Sequence, residues 1–337
     1  MAKTPQLRSV RISGTGMFVP PRVVTNDDLA KRFDTTDEWI FQRTGIRERR
    51  HVDPGMGPSD LAYAAAQKAL EDANLEASDL DMILVATLSP EHYFPGTSVY
   101  LQHMLGLNRT PALDLRAQCT GFVYGLETAR LMVGSGAYDR VLLVGAELHS
   151  TGLDYSDRGR DVAVIFGDGA GALVLEASDD DDKGILGVKL RAQGKHADRL
   201  RAQVPSPRNH PAISAQMVEE GMAWPKMDGK FVFKNAVIRL PEVIMELMSE
   251  LELTGDDIDQ YLFHQANLRI NEFVGNMMGI PAEKAPSNIG RYGNCSAASI
   301  PMLLDECRKS GQITEGSTVL MAGFGSGFTW GSAAIRF

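Results

Sequence analysis

Short apolar runs alternate along this chain with longer stretches in which apolar positions recur every three or four residues. The runs, built mostly of Val, Leu, Ile, Met and Ala, are 82–86, 112–115, 141–144, 172–175, 261–263 and 319–322. They predict strands covered on both faces, and their alternation with helical patterns predicts an α/β fold. Helical spacing runs from Ser59 to Asn74, with Ser59-Asp60 as the expected N-cap. It recurs from Lys234 to Leu251, where Val237, Leu240, Ile244, Leu247 and Leu251 form one stripe. Residues 191–230 are polar and proline-bearing, and read as a covering loop or lid.

The pattern also repeats itself. The stretch that begins Leu75-Glu-Ala-Ser-Asp-Leu-Asp and the one that begins Leu253-Thr-Gly-Asp-Asp-Ile-Asp align without gaps at an offset of 178, each leading into a strand. The helical stretch that starts at Cys119 aligns with the one that starts at Asn294 at an offset of 175, and each is followed by a further strand. A duplicated half explains this order, although a helix followed by a strand is also a common pattern by chance. Duplication implies a pseudo-twofold that brings the two helix starts together, with Cys119 and Asn294 at matching positions. The expected halves are 1–178 and 179–337, joined through Ser178-Asp-Asp-Asp-Asp-Lys183, a charged run that reads as a solvated turn.

Composition narrows the function classes. A length of 337 residues suits two domains or one large two-part unit. The net charge of −9 argues against nucleic acid as a partner. No apolar run reaches the ~18 residues of a membrane span. The chain opens without the apolar stretch of a signal peptide, and its three cysteines form neither C-x-x-C nor a metal cluster, so the expected location is the reducing cytoplasm.

Candidate chemistry lies at three places. Cys119 follows the 112–116 segment and opens a helix with Phe122, Leu126, Ala129 and Val133 on one face. Unpaired N–H groups and the macrodipole at a helix start favour a thiolate, so a nucleophile and an inert core cysteine are both open readings. His264 ends the 261–263 strand, where side chains enter a crevice, yet a lone histidine there is often structural. Asn294 sits in a run of glycines and small residues that lets backbone approach a ligand, or simply turns. The glycine-rich 167–171 and 323–331 segments lack both the G-x-G-x-x-G spacing and a Walker motif, which argues against nucleotide chemistry.

Taken together these segments resemble the β-ketoacyl-acyl carrier protein synthase III family of thiolase-superfamily condensing enzymes. The matching runs are Thr36-Asp-Glu-Trp-Ile-Phe-Gln-Arg-Thr-Gly-Ile-Arg-Glu-Arg49, the Cys119 helix, Asp157-Arg158 with Phe166-Gly-Asp-Gly-Ala-Gly171, Phe263-His-Gln-Ala-Asn-Leu-Arg-Ile270, Asn288-Ile-Gly-Arg-Tyr-Gly-Asn294 and Gly325-Ser-Gly-Phe-Thr-Trp-Gly331. The resemblance implies a five-layered αβαβα thiolase-like fold and a Cys119, His264, Asn294 triad, with the backbone N–H groups of Cys119 and Ser326 as the oxyanion hole. It implies that Trp39, Arg43 and Arg158 hold the adenine end of CoA, that Gly229 and Phe233 line the pantetheine tunnel, and that Arg269 meets the carrier protein. Lys230 stands where a polar amide is expected, so that contact is not carried over. Phe94, in Glu91-His-Tyr-Phe-Pro95, matches a loop that closes the partner's acyl pocket across a homodimer. The implied reaction joins an acyl-CoA primer to malonyl-acyl carrier protein through an acyl-cysteine, with CoA thioesters as substrates and no metal or other cofactor. Two alternatives stand beside it. One is a synthase or acyltransferase of the same fold that uses medium-chain, long-chain or aromatic acyl-CoA, suggested by Arg116-Ala117-Gln118 before the cysteine. The other is a catalytically inactive binding paralogue.

Overall fold

The computed structural model describes residues 7–180 and 182–337; Asp181, within the expected junction of the halves, and residues 1–6 lie outside them. Each predicted apolar run is a strand, and the strands form two sheets. In the first, the order is Ser9–Phe18, Gly169–Ser178, Arg140–Glu147, Met82–Ala86, Ala112–Leu115, the first three antiparallel to their neighbours and the last three parallel. The second runs Gly184–Ala192, Thr329–Arg336, Thr318–Gly325, Gln260–Phe263, with the same sequence of antiparallel and parallel pairings. Strands Ser9–Phe18, Gly184–Ala192 and Thr329–Arg336 escape the apolar-run criterion because glycine, serine and charged residues dilute them. At Gly16 the dilution has a steric cause, since a Cβ there would lie 2.4 Å from the Ala65 carbonyl oxygen of the covering helix.

Three apolar clusters mark the layers. Between the sheets, helices Gly121–Gly134 and Ser299–Lys309 contribute Phe122, Leu126, Val133, Ile300, Leu303 and Leu304. These pack on Leu84, Leu143 and Leu173 of one sheet and Leu262, Met321 and Ile335 of the other. The outer face of the first sheet, with Ile83, Val85, Leu142 and Val144, is covered by helix Pro58–Ala73. The outer face of the second, with Tyr261, Phe263 and Leu320, is covered by helices Gly229–Glu250 and Leu268–Met278. This is a five-layered αβαβα fold whose central strands are buried on both faces, at about 1.5–3 kcal/mol per large side chain; the edge strand Ala112–Leu115, expected to be covered on both faces, is only partly so, with Leu113 exposed. No helix among the described residues is long and apolar enough to cross a membrane.

Local details correct three expectations. Helix Pro58–Ala73 is capped at Gly57, not at Ser59-Asp60. Proline takes the first helical position, where its fixed φ suits and its missing N–H is no loss, while the Asp60 carboxylate accepts the Gly57 N–H at 2.7 Å. The helix expected from Lys234 begins at Gly229, where the Asp228 carboxylate accepts the Phe231 N–H. Finally, the two central helices are each preceded by a short 3₁₀ turn, Gln118–Thr120 and Ser296–Ala298, whose first residues both have positive φ. The turns and helices are 178 residues apart throughout, so Cys119 matches Ala297 and Asn294 lies three residues earlier. The segment 191–230 is mostly irregular, with a short helix Ala215–Glu219 and a two-stranded ribbon of Leu200–Arg201 with Lys226–Met227.

Candidate active site

The two 3₁₀ turns pack against each other, and the site is built on that meeting. Cys119 leaves the Ala112–Leu115 strand through Gln118, held at a φ of 47°, which carries the sulfur inward at the head of the Gly121–Gly134 helix. Its thiol donates to Ser296 Oγ of the opposite turn at 3.7 Å. Gly325, at the end of the Thr318–Gly325 strand, passes so close that a Cβ would sit 2.7 Å from Cys119 Cβ. Glycine is the residue that lets the loop bring the Ser326 N–H to the sulfur.

The helix start alone predicts a stabilised thiolate; the structure corrects this. Burial pushes the Cys119 thiol up to about 11, the Ser296 contact opposes it, the Glu147 charge adds to it, and the N–H groups of Cys119 and Ser326 again oppose it. Desolvation prevails and the resting thiol is neutral. Glu147 lies fully buried at the end of the Arg140–Glu147 strand. It accepts from Ser89 Oγ, Thr87 Oγ1 and the Leu88 and Ala297 N–H groups, and burial raises it to about 7.

His264 follows the Gln260–Phe263 strand, anchored by its N–H to the Ala322 carbonyl at 2.8 Å. The ring is 4% exposed, and burial lowers its pKa to about 4, so it is neutral near pH 7. Its Nδ1 lies 2.6 Å from Ser299 Oγ, and that hydroxyl is also 3.0 Å from the Ser296 carbonyl. When the hydroxyl donates to Nδ1, the ring proton sits on Nε2, which has no partner among the described residues. Asn294 is fixed by backbone bonds to the 165–167 segment, its N–H to the Ile165 carbonyl and its carbonyl to the Gly167 N–H. Its Oδ1 accepts the Ser296 N–H at 2.8 Å, which leaves the Nδ2 group as the donor it can offer.

One cavity of about 790 Å³ has Cys119, His264 and Asn294 in its wall, together with Phe324 and Gly325. The wall also holds the expected Trp39, Arg43, Gly229, Phe233 and Arg269, and Lys230 joins them. Leu200 and Met227 bring the 191–230 segment onto the cavity, as a covering segment should. Arg158 does not line it: its guanidinium is paired with Asp154 at 2.6 Å and donates to the Glu219 carbonyl. Arg160 does line it, its guanidinium carbon 4.8 Å from the Trp39 ring centre, with Arg43 at 4.2 Å. Phe94 lies outside the wall and is 81% exposed. Cys295, packed against the Tyr292 carbonyl, is buried away from the cavity. Arg160, Asn271 and Phe324 are wall residues that sequence reasoning missed.

Comparison with known proteins places this geometry among relatives. Residues 113–194 match the family model described as 3-oxoacyl-[acyl-carrier-protein (ACP)] synthase III, and residues 248–337 match the model of its C-terminal region. A beta-ketoacyl-[acyl-carrier-protein] synthase III of Laribacter hongkongensis is 43% identical over 327 residues, covering 97% of this chain and 99% of its own. Its namesake in Bradyrhizobium diazoefficiens is 44% identical over 337 residues, covering 98% and 99%. The crystal structure of 3-oxoacyl-[acyl-carrier-protein] synthase III from Aquifex aeolicus superposes with a TM-score of 0.89 at 38% identity, covering 97% of this chain and all of the other.

Proposed function

The chain belongs to the 3-oxoacyl-[acyl-carrier-protein] synthase III family, and on that premise we propose how its cavity carries out the condensation that begins fatty acid synthesis. It is an acyltransferase of the condensing type. The observation that carries the residue assignment is the convergence of Cys119, His264 and Asn294 on one cavity wall, with a glycine loop pressed against the sulfur.

In the first stage an acyl-CoA enters with its nucleotide toward Trp39, Arg43 and Arg160, where planar guanidinium groups suit phosphate and an aromatic face suits adenine. The Cys119 sulfur attacks the thioester carbonyl. Its S–C bond forms as the CoA S–C bond breaks, and the proton lost by the thiol ends on CoA. The N–H groups of Cys119 and Ser326 hold the developing oxyanion. In the second stage malonyl-acyl carrier protein docks near Arg269 and loses CO2. The electron pair passes onto its thioester oxygen, which His264 Nε2–H and Asn294 Nδ2–H stabilise. The enolate carbon then attacks the acyl group on Cys119, and the released thiolate takes a proton from solvent. The chemistry as written uses no metal or redox cofactor, and acetyl or another short acyl group is the primer we favour. We assign the enzyme to the cytoplasm, in two duplicated halves, 1–178 and 179–337, and to a homodimer in which Phe94 closes the partner's acyl pocket.

Intact mass after brief exposure to a panel of acyl-CoA esters, followed by peptide mapping, tests the reading. One acyl group on Cys119, with Cys295 and Cys307 unmodified, is the expected result. Stoichiometric acyl on Cys295 with none on Cys119 would overturn it.

A further inference from the structure

An oxyanion hole made of the Cys119 and Ser326 N–H groups draws on two segments far apart in the chain. One is the turn Gln118–Thr120, the other the loop between strands Thr318–Gly325 and Thr329–Arg336. Two donors on separate segments act together only while the segments keep a fixed separation. Gly325 sets how near they come, since the space a Cβ would need is already taken by Cys119. A steric contact of that kind does not stop them moving apart.

A pair of hydroxyls does. Thr120, fully buried directly after the nucleophile, and Thr329, which closes the loop opposite Gly325, bring their Oγ1 atoms to 2.6 Å. Thr120 Oγ1 is also 2.7 Å from the Ala117 carbonyl, and Thr329 Oγ1 is 3.1 Å from the Ser326 carbonyl. Two oxygens at 2.6 Å share a proton. If Thr329 supplies it, the Thr120 proton goes to Ala117, just ahead of the nucleophile; if Thr120 supplies it, the Thr329 proton goes to Ser326, at the second donor. In both arrangements the hydroxyl bond ties the two segments, and the remaining proton steadies one of them. Neither threonine is in the cavity wall, so the pair acts through the donors it holds and not on a substrate. On the reading that Cys119 is acylated through an oxyanion held by the Cys119 and Ser326 N–H groups, we propose that Thr120 and Thr329 are positioning residues that keep these two donors at their working separation. A misplaced donor weakens binding of the transition state, where the charge has developed, and not of the thioester, where it has not. The effect falls on the limiting rate of acylation and leaves the half-saturating concentration alone.

The test compares two reactions of the same sulfur, both followed by peptide mass at Cys119. Acetylation by acetyl-CoA passes through an oxyanion, whereas alkylation by iodoacetamide, in which the sulfur displaces iodide from carbon, forms none. The proteins are the parent, Thr120→Val, Thr329→Val, the double valine variant and Thr329→Ser, with Thr329→Ala in place of Thr329→Val if the latter does not fold. Expected in each valine variant is a limiting acetylation rate lower by on the order of 10²-fold. The half-saturating acetyl-CoA concentration and the alkylation rate should stay within about twofold of the parent. Thr329→Ser, which keeps the hydroxyl, should recover the parental rate. The double variant should be no slower than either single one, because the two hydroxyls form one link. A folded valine variant that acetylates at the parental rate overturns the assignment. So does an equal loss in alkylation, which marks a displaced sulfur, and so do additive losses in the double variant, which mark two independent roles. A parent whose Cys119 is alkylated but gains no acetyl from acetyl-CoA removes the underlying reading of the cavity, and the assignment with it.

Discussion

At Cys119 two opposing effects compete. A helix start favours a thiolate by about 0.3–1 kcal/mol, and up to ~2 kcal/mol in partly buried geometry. Burial opposes it and prevails, at about 11 for the thiol. His264 is shaped by the same desolvation, which keeps the imidazole neutral across the physiological range; with its proton on Nε2, as we propose, it can donate there throughout. The assignments of His264 and Asn294 to the enolate predict that His264→Ala and Asn294→Ala keep measurable self-acylation. Each should lose CO2 release from malonyl-acyl carrier protein by on the order of 10²–10³. In the parent, His264 should add no limb to the pH profile of CO2 release near 6.5. Its folded pKa is lowered, so its proton is bound only as pH falls toward about 4. Unimpaired release in both variants would refute the assignment. Cys119, His264 and Asn294 were legible in the sequence because each sits in a motif of the family it resembles; Asn271 was not, because an asparagine inside a helix looks solvated until the fold buries it.

Among elements, the end of the Thr318–Gly325 strand lies directly against Cys119. Adding a methyl group in Gly325→Ala puts a carbon 2.7 Å from Cys119 Cβ and 3.1 Å from its backbone nitrogen, so one of the two segments must move. We expect a drop in Cys119 acylation on the order of 10²-fold, with stability lowered by about 1–3 kcal/mol. Rates of acylation and urea unfolding check the two parts separately, and a variant with parental acylation would show that the loop does not set the sulfur's position. Apolar runs disclosed six strands of the two main sheets. They missed the three rich in small or charged residues, where contact with a covering helix, not apolar content, decides what fits. The echo in the sequence was sound for strands at an offset of 178. It slipped by three residues at the turn that carries Cys119, since small-residue similarity there outweighed the turn geometry that the positive φ of Gln118 and Ser296 reveals.

For the whole molecule, the exposed aromatic tip is the feature a single chain leaves without a role. Phe94 and Tyr93 are 81% and 71% exposed, on the loop whose Glu91 carboxylate is tied to the Ser59 N–H and Thr97. If Phe94 closes the acyl pocket of a second copy, Phe94→Gly should shift preference toward longer acyl-CoA by about 1–3 kcal/mol. The parent should then have a dimer's mass in light scattering, with one loop answered reciprocally by the other. A monomer with an unchanged chain-length profile would rule the shared pocket out. The sequence by itself determined the αβ alternation and the motifs that mark the family, because these are properties of local pattern and motif. Only the tertiary structure decided which arginine faces the cavity, how strongly burial opposes the Cys119 charge and which hydroxyls meet beside the nucleophile. Those depend on distances and solvent exclusion between segments far apart in the chain, and no local pattern encodes them.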